Sequence, residues 1–118
     1  MLVETIDDGD ALHRRLSLES VTAGQVNSAA FVTNGRPDNQ ISVDLARLTT
    51  PEQTLRDRRH FGIGAILAGT VRQLGFEALH APLEANSAHA LIRGENSKAK
   101  CRQLAEHTVV LIQPKPKP

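Results

Sequence analysis

The 118-residue chain balances 14 Lys and Arg against 13 Asp and Glu, and a net charge of +1 is too small for a dedicated DNA or RNA binder. Its 40% hydrophobic content suits one folded domain, but three Phe with no Tyr or Trp leave the core to Leu, Ile, Val and Ala and remove the aromatic platforms that single-strand binders use. The single Cys excludes an internal disulfide, and no window has the length and apolarity of a signal peptide or a membrane span, so the expectation is a soluble, cytoplasmic protein with no membrane contact.

The opening segment, residues 1–10, carries Glu4, Asp7, Asp8 and Asp10 and is expected to be a flexible acidic stretch or a lid. Ala11–Leu16 reads as a first strand with His13 and Arg14 on opposite faces. Val26–Val32 is a second strand candidate, followed by a turn cluster over residues 34–39 with Gly35 and Pro37 as punctuation. Ile41–Leu45 alternates apolar and polar, as a strand with one wet face does. Thr50-Pro51-Glu52-Gln53 is a helix start. Thr50 is the N-cap, Pro51 the first helical residue and Gln53 the capping-box partner, for a helix of about two turns ending near Arg59.

Residues 61–74 suit either period, but Gly62 and Gly64 disfavour a helix start. The segment therefore divides into a strand over Phe61–Leu67 and a short helix over Ala68–Leu74 closed by Gly75, with a return strand over Phe76–His80. Pro82 ends that strand, residues 84–87 turn, and Ala88–Ile92 is the next strand. Asn96 or Ser97 caps a basic helix whose inward stripe is Ala99, Cys101, Leu104, Ala105 and Thr108. Val109–Ile112 is wholly apolar and reads as a buried strand. Residues 113–118, rich in Lys and Pro, form an extended tail. The sum is an α+β domain over residues 11–112 with a mixed or antiparallel sheet and about three short helices.

The densest polar chemistry lies in residues 79–94. His80 and His89 sit one hairpin apart and are the candidate catalytic acid–base residues, since imidazole ordinarily titrates near neutrality. They lack the further strong ligands that zinc needs, so no metal and no other cofactor is expected. Gly94 leads into a helix start at which Asn96, Ser97 and Lys98 can hold an anion, although the P-loop order of residues is absent and capping alone explains Asn96 and Ser97. Ser42, Asp44, Ser28 and Asn27 occupy the polar faces of two neighbouring strands, where with Arg14 or Arg15 they can line a cleft, and Asn86 lies in the turn beside His89. No G-x-S-x-G elbow supports serine-hydrolase chemistry, and Cys101 reads as an inert core thiol.

Residues 27–31, 41–44, 61–64 and 86–90 together resemble a group of short bacterial proteins to which no characterised activity attaches. The resemblance spans residues 12–112 and implies no function. Residues 12–16 and 27–31 are also similar to the opening strands of ADP-ribosyl-transferase-type domains, which implies a nucleotide substrate. The chain departs from that pattern in lacking the Tyr that stacks on nicotinamide and a late catalytic Glu.

Two functions follow. The first is an accessory binding module working with a protein partner, suggested by small size and the absence of catalytic motifs. The second is an enzyme acting on a nucleotide or other phosphate-bearing small molecule, with His89 as acid or base and Lys98 holding the anion. Convergence of His80, His89, Ser42 and Arg14 on one pocket separates the second from the first.

Overall fold

The computed structural model describes residues 2–33 and 40–117; the turn expected over residues 34–39 lies outside them. Among the described residues eight strands follow in chain order: β1 (Ala11–Leu16), β2 (Val21–Thr22), β3 (Gln25–Val26), β4 (Gln40–Leu45), β5 (Gly62–Leu67), β6 (Glu77–His80), β7 (His89–Arg93) and β8 (Val109–Ile112). Three helices accompany them, α1 (Pro51–Leu55), α2 (Ala68–Gln73) and α3 (Lys98–Glu106), so the fold is α+β.

Six strands form one sheet in the order β6-β7-β4-β1-β5-β8, and every neighbouring pair is antiparallel. β2 and β3 make a separate hairpin through Ala23 and Gly24, both at positive φ. Strand alternation decides which face each side chain meets. Leu12, Leu16, Ile41, Val43, Leu45, Ile66, Ala90 and Ile92 point to a single core, completed by Val71 of α2, Cys101, Leu104 and Ala105 of α3, and Phe31. The intervening residues, His13, Arg15, Ser42, Asp44 and His89, alternate onto the other face. Thr54 of α1 meets that face through a bond to Asp44.

Local chemistry explains most elements. α1 starts with the full capping box: the Thr50 hydroxyl accepts from Gln53 N, and the Gln53 side chain accepts from Thr50 N. It stops at Leu55, about one turn short of the expected length, because Arg56 leaves helical geometry at φ 56°. The split of residues 61–74 into strand and helix is as expected, with Gly75 at φ 93° closing α2. Gly62 is demanded by packing, since a Cβ there would lie 2.2 Å from the Ile112 carbonyl oxygen.

Three expectations are corrected. Residues 28–31 form a 3₁₀ turn and not a strand, because the Asn27 side chain accepts from Ala29 N and starts a turn that buries Phe31. Ala99 is exposed, and the buried stripe of α3 is Cys101, Leu104 and Ala105. β8 is an edge strand in place of a buried one, with Val109 64% exposed, because it pairs with β5 alone. In the acidic segment, Glu4, Asp10 and the Thr5 carbonyl accept from Arg47, Asp8 and the Ile6 carbonyl accept from Arg72, and Ile6 enters the core. The tail also docks, with Lys115 N donating to the His60 carbonyl at 2.8 Å. No helix among the described residues is long and apolar enough to cross a membrane.

Candidate functional site

Three adjacent strands present their outward polar residues to one cleft. Register places Asp44 of β4 opposite His13 of β1 on one side and opposite His89 of β7 on the other. Ser42 lies two residues from Asp44 on the same face of β4. The cleft measures about 230 Å³ and is lined by His13, Arg15, Ser42, Asp44, Asn86 and His89, with Arg14, Thr54, Arg56 and Leu83 completing the wall. A neighbouring hollow shares Arg14, Arg15 and Ser42 and continues toward Thr33 and Gln40.

His89 is oriented by the main chain. Its Nδ1 lies 2.8 Å from the Ala81 carbonyl oxygen, and a carbonyl only accepts, so Nδ1 carries the proton. In the neutral ring Nε2 is then an acceptor. It lies 3.3 Å from Ser42 Oγ, whose hydroxyl donates to it. A ring fixed at one nitrogen with its basic nitrogen turned to a hydroxyl in a cleft is the geometry of a general base.

Asp44 is the fixed centre of the site. One carboxylate oxygen accepts from Asn86 Nδ2 and the other from Thr54 Oγ1, both at 2.8 Å, and the residue is 7% exposed. Asn86 also braces the turn before β7, because its Oδ1 accepts from Ala88 N at 3.2 Å. His13, 8% exposed, has a buried Nδ1 with no hydrogen-bond partner among the described residues. Burial pushes its pKa below the ordinary value of 6.5, against the opposing pull of Asp44.

Arg15 and Arg56 border the cleft, and among the described residues neither guanidinium has a hydrogen bond or an ion pair. Burial, and then the charges of Arg58 and Arg56, lower the pKa of Arg15 against the opposing pull of Asp44 and Asp57. Arg56 has φ 56° and ψ −121° in the tight turn closed by Arg58 N donating to the Leu55 carbonyl. This is the first central position of a II′ turn, where glycine is the relaxed choice, and holding a side chain there costs on the order of 1–3 kcal/mol.

The other sequence candidates go elsewhere. His80 belongs to the core side: its Nδ1 accepts from Glu4 N and its Nε2–H donates to the Ser87 carbonyl, both at 2.8 Å. Both ring nitrogens are engaged by main-chain groups, and His80 does not line the cleft. Arg14 borders the cleft but is a strut, its guanidinium donating to the Ala30 and Ser42 carbonyls at 2.8 and 2.7 Å. Asn96 donates to Thr33 Oγ1 and the Phe31 carbonyl, and Ser97 caps α3 by accepting from Lys100 N. Lys98 is exposed on α3, away from the cleft-lining residues. Gly94 is explained by the Phe76 ring, whose Cδ1 would meet a Cβ at 2.8 Å. Asn27 and Ser28 lie in the 3₁₀ region and do not line the cleft. Burial raises the pKa of Cys101, which suits an unreactive thiol.

Sequence reasoning placed Ser42 and Asp44 in one group, with Arg14 or Arg15, and His89 and Asn86 in another; it did not join the two, and it missed His13, Thr54 and Arg56 as cleft residues. The alternation of β1 places His13 and Arg15 on one face and was the available signal; nothing local marks Arg56. Among the described residues no group of three or more His, Cys, Asp or Glu side chains is arranged to hold a metal ion. Comparison with protein-family models, curated proteins and solved structures finds no match for the chain.

Proposed function

We propose that the cleft is the active site of a small enzyme that performs acid–base chemistry, with His89 as the general base. The observation that carries this reading is the pairing of His89 Nε2 with Ser42 Oγ while Nδ1–H is anchored on the Ala81 carbonyl. Nε2 takes a proton from a hydroxyl, either that of Ser42 or one on a bound substrate or water lying beside it. The imidazolium that forms keeps its Nδ1 anchor and faces the carboxylate of Asp44 across the strand pair. Ser42 orients the ring at rest, and Asn86 and Thr54 hold Asp44 so that its charge does not swing away. Of the four residues whose convergence separates the two readings, His89, Ser42 and Arg14 line the cleft and His80 does not; the three that meet there favour this reading over the accessory module that a motif-free sequence suggests.

The cleft volume is below the range of about 300–1,000 Å³ typical of sites for drug-sized ligands, so the substrate part held there is a fragment of a few heavy groups. The test is a screen of small esters and nucleotides for turnover, followed by His89→Gln and Ser42→Ala. General-base participation contributes typically about 10²–10⁴-fold, so His89→Gln is expected to lower kcat by that range while the melting temperature holds. Turnover that is indifferent to His89→Gln would remove the assignment, and ligand binding with no turnover in the unaltered protein would return the chain to the binding-module reading.

A further inference from the structure

From the pair of guanidiniums at the rim of the cleft we infer that Arg15 and Arg56 form a phosphate-binding subsite, so that the substrate is a phosphate-bearing small molecule. The inference rests on the acid–base reading of the cleft and names its substrate class.

Arg15 projects from β1 on the same face as His13, and Arg56 projects from the turn that ends α1. Both line the cleft that holds His89 and Ser42. Among the described residues Arg47 pairs with Glu4 and Asp10, Arg72 with Asp8, and Arg93 with Glu77, while Arg58, Arg59 and Arg102 form no ion pair and do not line the cleft. Arg15 and Arg56 have no such partner among the described residues, although each is placed near the other's charge. The carboxylates of Asp44 and Asp57 act on Arg15 from nearby, but neither forms an ion pair with it, so the donors of both guanidiniums are open to a bound anion. Guanidinium forks match the oxygens of a phosphate group, which can accept from both arginines at once. A single carboxylate has fewer oxygens to share between two forks.

The backbone of Arg56 is the second observation. Its turn position relaxes with glycine, yet it bears a long cation in a conformation unfavourable to any L side chain. Packing gives no reason for that residue, because Arg56 is exposed. An anion-binding role at the mouth of the cleft does. The subsite also lies away from Lys98 and the start of α3, so the anion site expected there moves to the opposite sheet face.

The experiment titrates the full chain with inorganic phosphate at constant ionic strength, following heat of binding and melting temperature. Adenosine 5′-monophosphate and uncharged adenosine are the comparison probes. Arg15→Gln and Arg56→Gly are each expected to weaken phosphate binding about tenfold or more, as loss of a charge-assisted bond implies. Lys98→Gln is expected to leave binding unchanged. Adenosine 5′-monophosphate should bind through the same arginines, and adenosine should not bind. Arg56→Gly relieves the turn, so its unliganded melting temperature should equal or exceed that of the unaltered protein, which excludes misfolding as the cause of lost affinity. Failure of phosphate to bind, undiminished binding in both arginine variants, or equal loss in Lys98→Gln overturns the subsite. His89→Gln separates the two claims: it should lower kcat by about 10²–10⁴-fold and leave phosphate affinity intact. Turnover lowered in His89→Gln with phosphate binding indifferent to Arg15 and Arg56 overturns the subsite alone.

Discussion

Replacing Thr54 by Val tests whether Asp44 is the fixed centre of the site. The two side chains are nearly isosteric, so the change removes one hydrogen bond and little volume. That bond is short, 2.8 Å from Thr54 Oγ1 to Asp44 Oδ2, and its partners are 5% and 7% exposed. A buried bond to a charged group contributes about 1.5–3 kcal/mol, and water cannot easily replace the lost donor at this depth. Asn86 still satisfies the other oxygen, so a collapse of the fold is not expected. For a domain of this size each kcal/mol corresponds to roughly 4 °C, giving a fall in Tm of roughly 6–12 °C. Urea unfolding followed by circular dichroism should show a lower midpoint with an unchanged m value. Thr54→Ser, which keeps the hydroxyl, should recover most of the loss. A Thr54→Val effect below about 0.5 kcal/mol, the range of ordinary surface substitutions, would show that Asp44 is solvated and would refute the reasoning.

Two further outcomes can be checked with the same unfolding assay. His13 is buried with its pKa held below 6.5, so the unfolded chain binds a proton that the folded chain resists. Its contribution to stability is therefore complete above pH 6.5, declines as pH falls through 6.5, and levels off below the folded pKa. The stability of the unaltered protein relative to His13→Gln should decline in that window; a difference that is constant with pH, or one that grows on acidification, would show that the Asp44 charge outweighs burial. Gly62→Ala sets a methyl against the Ile112 carbonyl and Pro114, so β8 must move away from β5 at a cost of about 1–3 kcal/mol, seen as faster amide exchange in residues 109–112. Exchange unchanged along β8 would contradict that packing.

Much of the architecture was legible where local chemistry and hydrophobic period agree. Thr50, Pro51 and Gln53 mark the start of α1 because each satisfies a specific need of a helix terminus. Ile41–Leu45 reads as a half-buried strand because its alternation has one interpretation. Residues 26–32 misled because Val26, Phe31 and Val32 suit a strand while Asn27, one side chain, starts a turn. Val109–Ile112 misled because an apolar run does not reveal whether a sheet continues beyond it. The cleft was legible only in pieces. His89, Asn86 and Ser42 stand out as polar residues in sheet-like surroundings, but the meeting of His13, Asp44 and His89 depends on β4 lying between β1 and β7. That order comes from long-range pairing, which no local pattern contains. His80 shows the converse: a histidine in a promising sequence setting, with both nitrogens bound to main-chain groups.

The strand order also constrains how the chain acquires its structure. β1 ends up between β4 and β5, both of which follow it in sequence, and among the described strands of this sheet β6 and β7 are the one adjacent pair with no other strand between them in the chain. Each central pairing must therefore close a long loop before the pair repays it, which places such topologies among the slower folders. His13, Ser42, Asp44 and His89 reach one another only when β1, β4 and β7 are in register. A molecule bound in the cleft consequently has no partly assembled form to hold: it slows unfolding and leaves the folding rate unchanged.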